Sequence, residues 1–421
     1  MLENLRYLYF LEILLFVIPY GITFYLTPLF ILLPLKLCPP TKRLWWTVER
    51  TLYKTFAYLV PFYPNRRRYN LKAYGDFKKL QKILEDKNHQ NDCGIVVVNH
   101  QTTVDISTLI QFWGGISKKL NAWGVVCWIQ DYLLGVLPSG WVSKVHGDFF
   151  VLQSVDVNSL TKCTQCHRSS KKIRHKMEIR LREHSKNIFK RHRFMQFFPE
   201  GGFYLNRKES SRRFAEKNGL KVLDHVALPR TAGMSSIMNE LDESGWLAKN
   251  SQNTSTAADE VFQNPSETQN LSQKDKKVRH CIFLTVAYPD QQRPWSVFDV
   301  MTGKILSPEK REHAYIHIKV MDICQVPLPI VDQPQYNREG EIINKKPIKE
   351  KMQEPFEQWL INEYGEMDKV LSEFYSNEEE DDLGEVYDLS LSGFWLWFHY
   401  FGSMLTGLGW IAGVVCLCIY A

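Results

Sequence analysis

The chain has 421 residues, 44% of them apolar and 13% aromatic, and a net charge of +6. This is a globular composition with a core, enriched in the side chains that favour membrane interfaces, and its length allows two average domains. Nine scattered cysteines, an odd number, argue against a disulfide framework and fit a reducing compartment.

Ile13 to Leu35 carries no charged side chain, a run long enough to cross a bilayer. Pro19 and Pro28 interrupt it, so a kinked span and a re-entrant pair are both open. A cleaved signal peptide does not fit. Glu3 and Glu12 stand where basic residues belong, the run is too long, and no A-x-A-like site follows. Residues 1–36 are therefore expected to be an N-terminal membrane segment. Lys36, Lys42, Arg43 and Arg66 to Arg68 follow it and only Arg6 precedes it, which places the main domain in the cytosol. The sequons at Asn253 and Asn270 would be glycosylated in the opposite orientation.

Residues 37–90 look helical and basic with interleaved aromatics, a juxtamembrane collar. The main domain is expected over 91–375. Ile95–Val98 is a short apolar, β-branched run, as in a strand buried on both faces. Val104, Ile106, Leu109, Ile110 and Trp113 then recur at helical spacing. Val145–Val151, Phe194–Phe198 and Cys281–Tyr288 are further strands with helix-like segments between them. Such alternation predicts an α/β fold with a mixed, largely parallel sheet flanked by helices.

Lys162 to Arg193 holds twelve Lys and Arg against two acidic residues, Glu178 and Glu183. A solvated basic helix and a face resting on anionic lipid headgroups are both open. A nucleic-acid surface is disfavoured, since no stacking or groove-reading motif accompanies it. Cys163-x-x-Cys166-His167 has no second ligand pair at metal spacing and reads as free thiols; no metal site is expected. Residues 250–278 are polar with almost no apolar content and read as a disordered insertion. Residues 376–388, beginning with the acidic run Ser376–Asp382, form a linker. Residues 389–421 lack Asp, Glu, Lys and Arg and form a C-terminal membrane segment, with Trp395, Trp397 and Tyr400 suited to an interfacial belt.

The chemistry centres on Asn99-His100-Gln101-Thr102-Thr103-Val104-Asp105. A strand ending at Asn99 and a helix capped by Thr102 or Thr103 would put His100 in the turn and Asp105 in the first helical turn. From there the carboxylate can hold one imidazole nitrogen and leave the other as an acceptor, the base-and-orienter half of a triad. A pair that merely caps the helix is the structural alternative. Phe197-Phe198-Pro199-Glu200-Gly201-Gly202-Phe203 adds a carboxylate and two glycines that allow close backbone approach to a ligand.

Four blocks occur in order: Asn99-His100 with Asp105, Gly147-Asp148-Phe149-Phe150, Phe198-Pro199-Glu200-Gly201, and Val286-Ala287-Tyr288-Pro289. Together they resemble the glycerophospholipid acyltransferase family. Val145–Phe150, Phe198–Phe203 and Leu228-Pro229-Arg230 look like its lysophosphatidylglycerol acyltransferase branch. The resemblance covers roughly residues 45–375. It implies an acyl-CoA co-substrate with no cofactor, a lysophospholipid acceptor and an endoplasmic reticulum membrane. It implies His100 as general base and Asp105 as its orienter, with the oxyanion held by backbone N–H groups at the helix start after Asn99. Asn99, Gly147, Glu200, Gly201, Gly202 and Arg230 are implied as substrate-binding.

The chain departs from the family pattern at Gly202 and Phe203, where many members have Thr-Arg, and at Gln153, where the second block usually ends in Arg. Two phosphate-pairing guanidiniums are thus absent, which disfavours a phosphomonoester acceptor such as lysophosphatidic acid. Arg230, Arg207, Lys208, Arg212 and Arg213 are the candidate replacements. An acyl-CoA hydrolase and a catalytically silent membrane scaffold are the rival readings. The hydrolase lacks a Gly-x-Ser-x-Gly elbow.

Overall fold

The computed structural model describes residue 11 and residues 13–66, 71–117, 122–132, 135, 138–151, 178–248, 276–289, 313–330, 347–376, 383–389 and 393–420. Its principal elements are α1 (Lys42–Arg66), β1 (Leu71–Gly75), α2 (Phe77–Glu85), β2 (Asp92–Val98), α3 (Asp105–Gly115), β3 (Val126–Asp131), α4 (Pro138–His146) and β4 (Phe149–Val151). After a helical stretch over 178–188 come β5 (Phe194–Phe197), α5 (Tyr204–Asn218), α6 (Thr231–Glu243), β6 (Lys277–Ala287), β7 (Ala314–Asp322), α7 (Pro355–Ser376), β8 (Tyr387–Asp388) and α8 (Gly393–Tyr420).

The strands form one sheet in the order β4-β3-β5-β2-β6-β7-β1-β8. Five of its seven pairings are parallel; β6–β7 and β1–β8 are antiparallel. The mixed α/β sheet expected from the sequence is thus present. Because strand side chains alternate between faces, Val96 and Val98 join Ile282 and Leu284 on one face, covered by Trp45 and Tyr53 of α1, Leu80 of α2 and Trp113 of α3. Ile95 and Val97 join Cys281 and Phe283 on the other, under Met234 and Ile237 of α6 and Leu360 and Tyr364 of α7. Burial on both faces is why 95–98 reads as an uninterrupted apolar run.

Several boundaries differ from expectation. Leu71–Gly75, inside the region read as helical, is a strand paired in parallel with β7. Its alternating Leu71 and Ala73, both fully buried, serve the sheet rather than a helical stripe. The strand read over 145–151 is only Phe149–Val151, since 138–146 is helical. β3 and β7 were not read from the sequence at all. Of the basic stretch, Arg191 and Arg193 are not lipid-facing. Arg191 Nη2 donates to Glu49 Oε2 (2.5 Å), and the Arg193 guanidinium donates to carbonyls of Ile83, Leu84, His89 and Asp92. Cys163–His167, Gln153, Asn253, Asn270 and residues 377–382 lie outside the described residues.

Among the described residues no helix is long and apolar enough to cross a membrane. The expected N-terminal span is instead a series of short pieces: π-turns at Ile13–Val17 and Ile22–Leu26 and helical turns at Ile18–Gly21, Thr27–Ile31 and Leu33–Leu37. Pro19, Pro28 and Pro34 each remove a backbone donor, and the ladder widens or breaks around them. α8 is continuous, but His399, Ser403 and Thr406 dilute its described part. The two ends pack together, with Tyr20 Oη 2.8 Å from His399 Nδ1 and Trp410 Nε1 donating to Thr23 Oγ1. The Glu49 carboxylate links this layer to the sheet, accepting from Tyr25 Oη (2.6 Å), His146 Nδ1 (2.9 Å) and Arg191 Nη2.

Candidate active site

β5, β2 and β6 are adjacent and mutually parallel, so their carboxyl ends open on the same edge of the sheet. In open α/β sheets this is where ligands bind. β5 delivers Phe198 to Phe203, β2 delivers Asn99 to Thr102, and β6 delivers Tyr288.

His100 Nδ1 lies 2.8 Å from Asp105 Oδ2. The same oxygen accepts from the backbone N–H groups of Gln101 (2.8 Å) and Thr102 (3.0 Å), while Oδ1 accepts from Tyr288 Oη (2.7 Å). A buried carboxylate only accepts, so Nδ1 carries the imidazole proton and Nε2 keeps its lone pair. Among the described residues Nε2 has no hydrogen-bond partner, and the His100 side chain is 15% exposed. The ring lies flat on Phe198, centroids 4.1 Å apart, and meets Phe203 edge-on at 4.5 Å. The expected cap is reversed: α3 begins at Asp105 itself, with no side-chain cap from the residue before it, and the Asp105 carboxylate organises the turn in front.

Glu200 is fully buried and holds the neighbouring turns together. Oε1 accepts from His100 N (2.8 Å) and Oε2 from Ala227 N (3.2 Å). Burial pushes its carboxyl well above the ordinary range, against the lowering pull of those two N–H bonds and the Arg207 charge. In the same turn Tyr204 N donates to His100 O (2.7 Å) and Arg230 N to Pro199 O (2.8 Å). Gly201 has φ +68°, and a β-carbon there would come 2.9 Å from Cδ of Arg230. The positive φ favours glycine, and a side chain there would also have to displace the end of Arg230.

The remaining expected site residues fall differently. Asn99 is fully buried, its amide committed at both ends to Val286: Nδ2 to the carbonyl (3.0 Å) and Oδ1 from the N–H (2.7 Å). It extends the β2–β6 ladder past the last strand residue. Gly147 precedes the edge strand β4, with β3 and β5 between that strand and β2, and the structure does not bring it to His100. Its φ of +91° serves the turn after α4. Gly201, Gly202 and Arg230 do gather around the Glu200 turn. Of the N–H groups between Asn99 and the helix, that of His100 is committed to Glu200 and those of Gln101 and Thr102 to Asp105. The N–H groups of Gly202 and Phe203 donate to nothing among the described residues.

Tyr288 is a site residue not expected from the sequence; a hydroxyl ending a buried strand was the available signal. Among the described residues one group could hold a metal, His89, Asp92 and His280, at the opposite end of β2. Their ligand atoms already bond one another: His89 Nδ1 (2.7 Å) and His280 Nε2 (3.2 Å) both face Asp92 Oδ2, and Arg279 Nε faces Oδ1 at 2.9 Å.

No family model matches the chain. Among curated proteins it is similar to acyl-CoA:lysophosphatidylglycerol acyltransferase 1 of Homo sapiens, 26% identical over 396 residues, which covers 92% of this chain and 87% of the relative. The Mus musculus protein of the same name is 24% identical over 393 residues, with the same two coverages. Lysophosphatidylinositol acyltransferase 10 of Caenorhabditis elegans is 23% identical over 201 residues, 47% of this chain and 35% of the relative. A likeness covering 92% of the chain necessarily spans the segment from His100 to Tyr288. The chain is an acyltransferase enzyme. The acyltransferase presents at its sheet edge the His100 imidazole, with Nδ1 held by Asp105 and Nε2 unpartnered among the described residues, set on an aromatic floor.

Proposed function

We propose that this acyltransferase moves a fatty acyl chain from acyl-CoA to the free hydroxyl of a headgroup-bearing lysophospholipid, such as lysophosphatidylglycerol, lysophosphatidylethanolamine or lysophosphatidylinositol. The observation that carries the reading is His100 itself, with Nδ1 fixed on Asp105 and Nε2 unpartnered at the site edge. A lipid hydroxyl is too weak an acid to ionise near neutral pH, so its proton leaves as the oxygen attacks the thioester carbonyl. His100 Nε2 takes that proton, and Asp105 stabilises the imidazolium that forms. As the C–S bond breaks, the imidazolium returns the proton to the departing thiolate. The N–H groups of Gly202 and Phe203 are the available donors for the transient oxyanion. No acyl-enzyme and no cofactor are needed.

The enzyme is proposed to work at the endoplasmic reticulum membrane with its catalytic domain in the cytosol and its two apolar ends in the bilayer. Phe30 (77% exposed) and Leu405 (71% exposed), with Ile31, Leu37, Phe394 and Phe401, are large apolar side chains exposed on the two ends, which suits contact with a bilayer.

Purified protein presented with a panel of lysophospholipids and several acyl-CoAs tests the reading. Thiol release that requires the lysolipid and yields a diacyl product is expected. Equal release without lysolipid would make it a hydrolase, and none with any lysolipid would leave a scaffold.

A further inference from the structure

The sequence leaves five cations after the Glu200 turn that could meet an acceptor phosphate: Arg207, Lys208, Arg212, Arg213 and Arg230. The structure sorts them. Arg212 pairs with Glu216 (3.0 Å) and Arg213 with Glu209 (3.6 Å), both more than half exposed, and Lys208 lies along the Tyr204 ring. These three support the outer side of α5.

Arg207 behaves otherwise, and it shares the double-glycine turn with Arg230. A β-carbon on Gly202 would sit 3.3 Å from Cγ and Cδ of Arg207, and one on Gly201 would meet Cδ and Nε of Arg230 at 2.9 Å. Two guanidinium side chains from different elements thus approach the same double-glycine turn, room that any larger residues there would fill. Arg207 Nε is shielded from solvent and has no acceptor among the described residues. A buried donor left unmet is unfavourable, so an acceptor in the working complex would satisfy it. Phe203, next in the turn, touches the His100 ring, and Tyr204 N holds His100 O. In a lysophospholipid only a few bonds separate phosphorus from the free hydroxyl. A hydroxyl at His100 therefore carries its phosphate to the neighbouring turn.

We propose that Arg207 holds the acceptor's phosphodiester over Gly201 and Gly202, making Arg207 a specificity-determining residue; this rests on the lysophospholipid reading above. A guanidinium fork matches two phosphate oxygens where a lysine offers a point charge.

The test is Arg207→Gln in the full-length enzyme, with kcat and KM determined for lysophosphatidylglycerol and, separately, for acyl-CoA. Expected is a rise of about ten- to a hundredfold in lysolipid KM, the scale of a charge-assisted hydrogen bond, with kcat and acyl-CoA KM within about twofold. Arg207→Lys should recover part of the loss, and Arg213→Gln should resemble wild type. An unchanged lysolipid KM overturns the proposal, as does a rise confined to acyl-CoA, which would assign Arg207 to the CoA phosphates. A parallel loss in all three constants makes the residue structural and also overturns it. Failure of the underlying reading looks different: the wild-type enzyme then acylates no lysophospholipid.

Discussion

Replacing Asp105 by Asn separates the charge of the orienting group from its geometry, because the side chain can sit only one way round. In serine proteases the equivalent change costs about 10⁴-fold, since the amide turns its NH₂ to the histidine and imposes the wrong tautomer. Here the oxygen facing His100 also accepts from Gln101 N and Thr102 N. An NH₂ in that place would confront two N–H donors in a fully buried pocket. The Asn oxygen must therefore face His100, and the NH₂ must face Tyr288 Oη. That hydroxyl can accept it by turning its own proton to Thr108 Oγ1, 3.2 Å away. The tautomer survives and only the charge is lost. A hydrogen bond to a charged group contributes about 1.5–3 kcal/mol against about 0.5–1.5 for a neutral one, and the Coulomb term at about 4 Å and an effective dielectric near 20 is about 4 kcal/mol at most. The loss in kcat should thus be roughly tenfold to a thousandfold. Lysolipid-dependent thiol release at saturating substrates measures it. A loss of about 10⁴-fold, matching removal of the imidazole, would mean that the amide has flipped and that the two backbone bonds do not govern Asp105. No loss at all would remove the carboxylate from catalysis.

His100→Ala should lower kcat by about 10²–10⁴-fold, and His100→Ala with Asp105→Asn should be little worse than His100→Ala alone, since the two act as one unit; multiplying losses would show separate roles. Glu200→Gln must aim its NH₂ at either His100 N or Ala227 N, breaking one buried bond. It should cost about 1–3 kcal/mol of stability and also lower kcat by displacing His100; an unchanged Tm with full turnover would refute this. For Glu49, burial raises the carboxyl, but His146 and Arg191 more than offset this and hold it at about 2. A folded value below the ordinary 4.5 contributes stability that is present above about pH 4.5 and lost as pH falls toward 2. That amounts to about 3 kcal/mol, so Glu49→Gln should lower stability by this order near neutral pH and flatten the acid limb of a Tm-against-pH curve.

The parts of the site legible in the sequence were those whose partners lie close along the chain. Asp105 follows His100 by five residues, and a strand-to-helix turn is short enough for spacing and chemistry to predict their contact. The buried strand at 95–98 was equally visible, because a strand covered on both faces carries its burial in its own composition. β3 and β7 were not. Val126–Asp131 ends in Gln130 and Asp131, and Ala314–Asp322 mixes His317 and Lys319 into its apolar residues, so neither gives a clean period. The N-terminal membrane-length end shows the converse: the absence of charge was plain, but three prolines decide the backbone there.

What the sequence concealed are roles set by residues distant along the chain. Asn99 looked like a ligand contact because it is polar and adjoins the base. Its amide instead completes the pairing of β2 with Val286, 187 residues away, and so fixes the strand end from which His100 projects. Glu200 looked like part of an acceptor site, and it reaches back 100 residues to the His100 N–H. Tyr288 binds Asp105 across 183 residues. Each of these is a polar group buried at the carboxyl end of a strand, where leaving it unpaired would cost about 1–3 kcal/mol. Three adjacent parallel strands therefore do more than place catalytic side chains on one edge. Their last polar residues must find partners there, and those bonds hold the imidazole's geometry before any substrate arrives. Substitutions at Asn99, Glu200 or Tyr288 should accordingly disturb kcat through His100, whereas those at Arg207 should act through the lysolipid KM.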